Sequence, residues 1–130
     1  MERRIDLDAA ARELELRAER ARASGITVDA ITWRDQADRP PTLKTVREEV
    51  SDPDSIGVRC VKGDQEGRLV LFRGAWADLE YWSGDVSTEP LVEAPGADDG
   101  LTLESYAALL DRFFELFRDS SSDRTAQPRA

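Results

Sequence analysis

Residues 55–82, SIGVRCVKGDQEGRLVLFRGAWADLEYW, contain three apolar segments separated by two glycine-containing turns. Apolar side chains alternate with other residues along 56–61 and again along 76–82, and such alternation predicts β-strands. Between them, 69–72 is a continuous apolar run, which favours a strand buried on both faces. Short strands joined by glycine-containing turns are typical of an antiparallel meander. The segment therefore predicts the centre of an antiparallel sheet.

Amphipathic helices are predicted on both sides of this segment. Over 7–23, apolar residues recur every three or four positions after Asp6, whose carboxylate can cap the first turn. Over 101–118, Thr102 is a good N-cap, and a broad stripe of leucine and aromatic side chains follows it. This second helix has the larger apolar surface, so we expect it to be the main cover of the sheet.

The order of these elements predicts an α+β fold: an antiparallel sheet of three to five strands with an N-terminal and a C-terminal helix packed on one face. Residues 26–33 could form an edge strand or an extended connection. Residues 88–93 could add another strand, which the proline at position 90 would confine to an edge of the sheet. Segment 34–54 is either a mobile loop or a place where an element has been missed. We expect a single domain over 1–118 and a disordered tail over 119–130.

Composition excludes several classes of function. The 130 residues contain 27 acidic and 18 basic side chains, a net charge of −9, which argues against nucleic acid or an anionic membrane as the partner. There is no histidine, so a Ser-His-Asp triad and an ordinary zinc site are excluded. The only cysteine, Cys60, alternates with apolar neighbours and is expected to be buried. We expect no cofactor, no metal and no membrane span, and a cytoplasmic location.

The predicted strand 76–82 contains the candidate functional residues. Side chains alternate along a strand, so Ala77, Leu79 and Tyr81 should face the helices. The opposite face then presents two indoles and two carboxylates, and the acidic turn that closes the strand adds one more acid. The candidate partner-binding residues are Trp76, Asp78, Glu80, Trp82 and Asp85. Exposed aromatic rings beside charged groups are typical of protein-recognition surfaces. The simpler alternative is that the two indoles cover the sheet edges and the acids only increase solubility.

Part of the chain resembles a known family. The residues that carry the resemblance are the entry Pro53-Asp-Ser-Ile56, the strand Gly67-Arg-Leu-Val-Leu-Phe72, the strand Asp78-Leu-Glu-Tyr-Trp82 and the amphipathic helix that follows. Together they are similar to the TriTu immunity family over residues 53–118, about half of the chain. The resemblance implies a non-enzymatic antitoxin that binds and occludes a secreted ADP-ribosyltransferase toxin, one that modifies elongation factor Tu. Its expected partner is the toxin's catalytic domain, bound by a monomer in a one-to-one complex.

Two other functions remain open at this stage. Small acidic α+β domains also act as secretion chaperones, which hold an extended effector segment against the sheet and are usually dimers. An enzyme would need the carboxylates of Asp78 or Glu80 to meet Arg59 or Arg68 in a closed, apolar cleft.

Overall fold

The computed structural model describes residues 5–40, 42–72 and 75–126, with the backbone alone from residue 118 onward. Helix α1 (Leu7–Ala23) begins the fold and helix α2 (Leu103–Ala126) ends it, and within the described residues seven strands lie between them. The strands are β1 (Thr27–Val28), β2 (Thr32–Asp35), β3 (Leu43–Lys44), β4 (Pro53–Lys62), β5 (Gln65–Phe72), β6 (Trp76–Trp82) and β7 (Leu91–Glu93). They pair antiparallel in the order β3-β2-β4-β5-β6-β7, and β1 also pairs with β4. The α+β prediction is confirmed, with more strands than the three to five expected.

The additional strands come from residues 26–54. Strand β4 is ten residues long, so β2 pairs with its first half and β1 with Cys60 and Val61 near its end. Strand β3 extends the sheet beyond β2, and a 3₁₀ turn (Arg47–Glu49) follows it. The Arg47 guanidinium pairs with Asp8 of α1 at 2.7 Å and lies over the Trp33 ring. The described part of 34–54 is therefore an ordered hairpin and turn, which is the missed element.

Both helices cover the same face of the sheet. In α1 the buried stripe includes Ala10 and Ala18, small residues that let the helix lie close to its neighbours. From α2, the rings of Tyr106, Phe113 and Phe117 are buried against the strands. The Thr102 hydroxyl accepts the Ser105 backbone N–H at 3.0 Å, as expected of an N-cap. The hydrophobic core thus fills the space between the helices and one face of the sheet.

Helix α2 is longer than the sequence predicts. Its backbone stays helical to Ala126, in place of the tail expected from residue 119, and 127–130 lie outside the described residues. Residues 119–126 have no apolar stripe, so hydrophobic periodicity could not reveal this extension. Adding residues to an existing helix avoids the unfavourable nucleation step. Neither described helix combines the length and apolar content that crossing a bilayer requires.

Candidate functional site

The sheet face opposite the helices, here called the outer face, is not covered by either helix. Along β6 the side chains alternate as predicted: Ala77, Leu79 and Tyr81 are buried in the core. The other four form the β6 row, defined as Trp76, Asp78, Glu80 and Trp82. Trp76 and Asp78 are half-buried, Glu80 is exposed, and Trp82 keeps 36% of its surface accessible. Both indoles are therefore outside the core.

At one end of the β6 row, Trp76 belongs to a stack of side chains that crosses four strands. Its ring lies on that of Phe72, directly opposite on β5, with centroids 4.7 Å apart and planes inclined by 24°. The Arg34 guanidinium from β2 approaches the Phe72 ring to within 5.9 Å of its centroid. Arg34 reaches across β4 because the residue between them in register is the small Ser55. The same guanidinium is also hydrogen-bonded to the buried carboxylate of Asp54.

This stack corrects one sequence prediction. The run 69–72 was expected to be buried on both faces, but β5 alternates, with Leu69 and Leu71 in the core and Val70 and Phe72 on the outer face. Phe72 and Arg34 are therefore site residues that the sequence analysis missed. The signal for Phe72 was present, because only three residues separate it from Trp76, and a hairpin with so short a connection places the two opposite each other.

At the other end of the β6 row, Trp82 lies opposite Glu66 of β5. Here the outer face forms an open cleft of about 360 Å³, lined by Trp82 together with Arg59, Glu66, Arg68, Glu80 and Pro90. The indole thus forms one apolar wall of a cleft whose other side chains are mostly charged. Such a mixture suits contact with a polar protein surface better than an enclosed apolar ligand.

The charges of this cleft are mostly paired across the strands. Glu80 accepts a hydrogen bond from Arg68 at 3.2 Å, and Arg59 bridges Glu66 at 3.0 Å and Asp29 at 3.1 Å. Arg68 and Glu80 keep 59% and 49% of their side-chain surface accessible, so each such pair contributes roughly 0–1 kcal/mol to stability. The pairs fix side-chain orientation on the outer face more than they stabilise the fold.

Asp78 and Asp85 have different surroundings. Asp78 lies opposite Val70, between the two indoles of the β6 row, and is half-buried. Asp85 follows β6 in an exposed turn, where its carboxylate accepts the Ser87 backbone N–H at 3.0 Å and the Ser87 hydroxyl at 2.8 Å. These hydrogen bonds lower the pKa of Asp85 below its ordinary value. Asp85 therefore holds the turn beside Trp82, and its exposed charge lies at that end of the β6 row.

The five candidate residues form a line. Trp76 and Trp82 are six positions apart on one strand, which separates them by about 20 Å at the usual rise per residue. The structure therefore places an aromatic group at each end of β6 with carboxylates between and beyond them. Comparison of the chain with protein-family models, curated proteins and solved structures gave no match. The arrangement of side chains is thus the basis for any assignment.

The arrangement has few features of a chemical centre. The one carboxylate–guanidinium pair on β5 and β6, Glu80 with Arg68, is in an open cleft and not in the closed apolar one that the enzyme alternative requires. Among the described residues, no group of three acidic, cysteine or histidine side chains is placed to hold a metal ion. Cys60 is fully buried, as predicted, and burial raises the pKa of its thiol to about 12. A thiol with so high a pKa is a poor nucleophile at neutral pH.

Proposed function

We propose that this protein is an immunity protein that binds a folded partner, the catalytic domain of a cognate secreted toxin, through the outer face of its sheet. The observation that carries the proposal is the aromatic content of an uncovered face: Phe72 and Trp76 stacked at one end of β6, and Trp82 at the other. Burying such rings under a partner supplies much of the binding energy of protein interfaces.

The outer face can supply the larger part of a protein interface. Six strands at the usual spacing of about 4.8 Å span roughly 24 Å, and β6 is about 23 Å long. A rectangle of that size is at most about 550 Å², roughly two thirds of the 800 Å² or so that one partner contributes to a standard interface, so the adjoining loops would have to contribute the rest.

The resemblance to the TriTu immunity family supports the choice of a toxin as the partner. It includes β4, β5, β6 and α2, the elements that form the outer face and the helix behind it. On this proposal the toxin is an ADP-ribosyltransferase acting on elongation factor Tu, and the complex blocks access to its catalytic site. A protein that inhibits by covering a surface needs no reactive group of its own.

Replacing Trp76 or Trp82 with alanine is expected to weaken the complex with the toxin domain encoded by the adjacent reading frame. Truncation of an aromatic hot-spot residue costs about 2–4 kcal/mol at an interface, which raises Kd roughly 30- to 1000-fold. Isothermal titration calorimetry measures Kd, and survival of cells that express the toxin measures protection. The matched control is Leu16→Ala, which truncates an exposed apolar side chain on α1, away from the outer face.

The controls separate this proposal from its alternatives. Thermal melting of each variant measures whether it is still folded, so that a loss of binding can be separated from a loss of the fold. Unchanged affinity and protection in the Trp76→Ala/Trp82→Ala double variant would show that the outer face is not the interface. Light scattering of the complex gives its stoichiometry: one-to-one binding of a folded domain is expected, whereas a dimer that binds only an extended segment would indicate a secretion chaperone.

A further inference from the structure

The net charge of the chain is confined to one part of it. Residues 74–111 contain nine acidic side chains and no lysine or arginine, while the other 18 acids are balanced by the 18 bases. The segment 74–111 therefore carries the whole formal charge of −9. It comprises β6, β7, their loops and the first part of α2, which form one side of the molecule.

Eight of the nine acids in this segment fall into two groups, and the ninth is the half-buried Asp78 of the β6 row. Glu80, Glu93 and Asp111 form ion pairs with arginines from outside the segment, namely Arg68, Arg112 and Arg17. Five others are exposed and have no ion pair with any residue in the described ranges: Asp85, Glu89, Asp98, Asp99 and Glu104. The negative potential on this side is thus not compensated within the described structure.

Three of these five exposed acids, Asp85, Asp98 and Asp99, lie beyond the ends of the β6 row. Asp85 lies three residues after Trp82, in the turn that follows β6. At the other end, the loop 94–101 is tied to the start of β6, because Ala77 N–H donates to the Pro95 carbonyl at 3.0 Å and Leu101 N–H to that of Ala75 at 2.7 Å. This loop contains Asp98 and Asp99, which therefore lie on the Trp76 side. A partner seated on the β6 row meets acids at each end.

Resting on the proposed function, we infer that the outer face around β6 and β7 docks a cationic surface of the partner protein, one whose lysines and arginines meet the acids at both ends of β6. A second copy of this chain is a poor occupant, because two facing copies would bring the same exposed acids, Asp85, Asp98 and Asp99, together. Nucleic acid and anionic lipid are repelled by the same field. Opposite charge on the partner speeds encounter and sets its orientation along β6.

The test is the association rate with the purified toxin domain encoded by the adjacent reading frame, measured by stopped-flow fluorescence of the tryptophans. Raising NaCl from about 50 mM to about 500 mM shortens the Debye length to a few ångströms, and kon is expected to fall at least tenfold. At low salt, Asp98→Lys/Asp99→Lys should lower kon about tenfold while koff changes little. The neutral pair Asp98→Asn/Asp99→Asn should give an intermediate rate.

The matched control is Glu15→Lys/Glu19→Lys, which makes the same change in net charge on the exposed side of α1. A kon equal to that of Asp98→Lys/Asp99→Lys would show that only total charge matters and would overturn the inference. A salt-independent kon in a complex that still requires Trp76 and Trp82 would overturn it too, while leaving the proposed function in place. Absence of any complex would refute both.

Discussion

Replacing Gly67 with valine is expected to unfold the protein under conditions in which the unmodified chain is folded. A Cβ atom at this position of β5 would lie 2.8 Å from Cζ of Phe117 and 3.0 Å from Cε1 of Phe113. Real Cβ atoms do not approach carbon that closely, so the rings would have to move. Both rings are fully buried and pack edge-to-face against each other, with centroids 5.6 Å apart, and the Phe117 ring also packs edge-to-face against Tyr81 at 5.2 Å. Gly67 thus lets helix α2 reach the sheet.

The size of the effect follows from overpacking. Adding one methyl to a filled core costs typically 1–3 kcal/mol, which is the range expected for Gly67→Ala. Valine adds two further methyls and should cost about 3 kcal/mol or more, a large part of the 5–15 kcal/mol by which a domain is usually stable. Urea unfolding followed by circular dichroism measures the free energy of unfolding.

Two controls assign the effect to the contact with the rings. Glu66→Val introduces the same side chain at the neighbouring outward position of β5 and should change the free energy of unfolding by less than about 1 kcal/mol. Phe117→Leu removes the ring atoms nearest to the new Cβ, so its cost should be smaller in the Gly67→Ala background than alone. Equal costs in both backgrounds would show that Gly67 is not limited by Phe117.

Local patterns predicted the elements whose burial depends on their own sequence. Helix α1 matches the predicted 7–23, and β6 matches 76–82, because in each a periodic stripe faces the core. The possible edge strand at 26–33 falls on two short strands, β1 and β2, and β2 lies between β3 and β4 instead of at an edge. Strand β3 was not predicted. These strands are only two to four residues long and depend on β4 and β2 for pairing. Their positions are set by contacts distant in sequence, which no short window contains.

In the candidate site, too, the features that depend on local sequence were predicted and those that depend on contacts between strands were not. The outward direction of Trp76, Asp78, Glu80 and Trp82 follows from alternation alone and was predicted. The stack of Phe72 and Arg34 with Trp76 depends on the register of four strands, which a single sequence does not specify. The pairing of Glu80 with Arg68 is likewise a cross-strand contact. Part of the negative charge predicted for the outer face is therefore neutralised by an arginine, and exposed acids without an ion pair in the described residues lie in the adjoining loops.

Replacing Asp35 with alanine is expected to destabilise the β2–β3 side of the sheet more than any single exposed ion pair does. Asp35 ends β2 with its side chain buried, only 3% of the residue being accessible. Its carboxylate accepts three backbone N–H groups, from Ser51 at 2.7 Å, Ala37 at 3.0 Å and Asp52 at 3.1 Å. Alanine would remove the carboxylate that accepts these three backbone N–H groups. A polar group that loses its hydrogen-bond partner inside a protein destabilises the fold. The midpoint of urea unfolding should fall clearly, and amide hydrogen exchange over 36–52 should accelerate.

The dependence of this effect on pH gives an independent check. Hydrogen bonds from Ser51 and Ala37, in that order of importance, lower the pKa of Asp35 in the folded protein below 3.8, the value of an ordinary carboxyl. A depressed folded-state pKa contributes stability that is complete above pH 3.8 and is lost as the pH falls through the folded-state pKa. The difference in unfolding free energy between the unmodified chain and Asp35→Asn should therefore be constant from about pH 7 to about pH 5 and shrink below pH 3.8. The control Asp29→Asn, which breaks an exposed pair with Arg59, should cost little at any pH. A difference for Asp35→Asn that does not shrink in acid would mean that the Asp35 charge is not what holds residues 36–52 against the sheet.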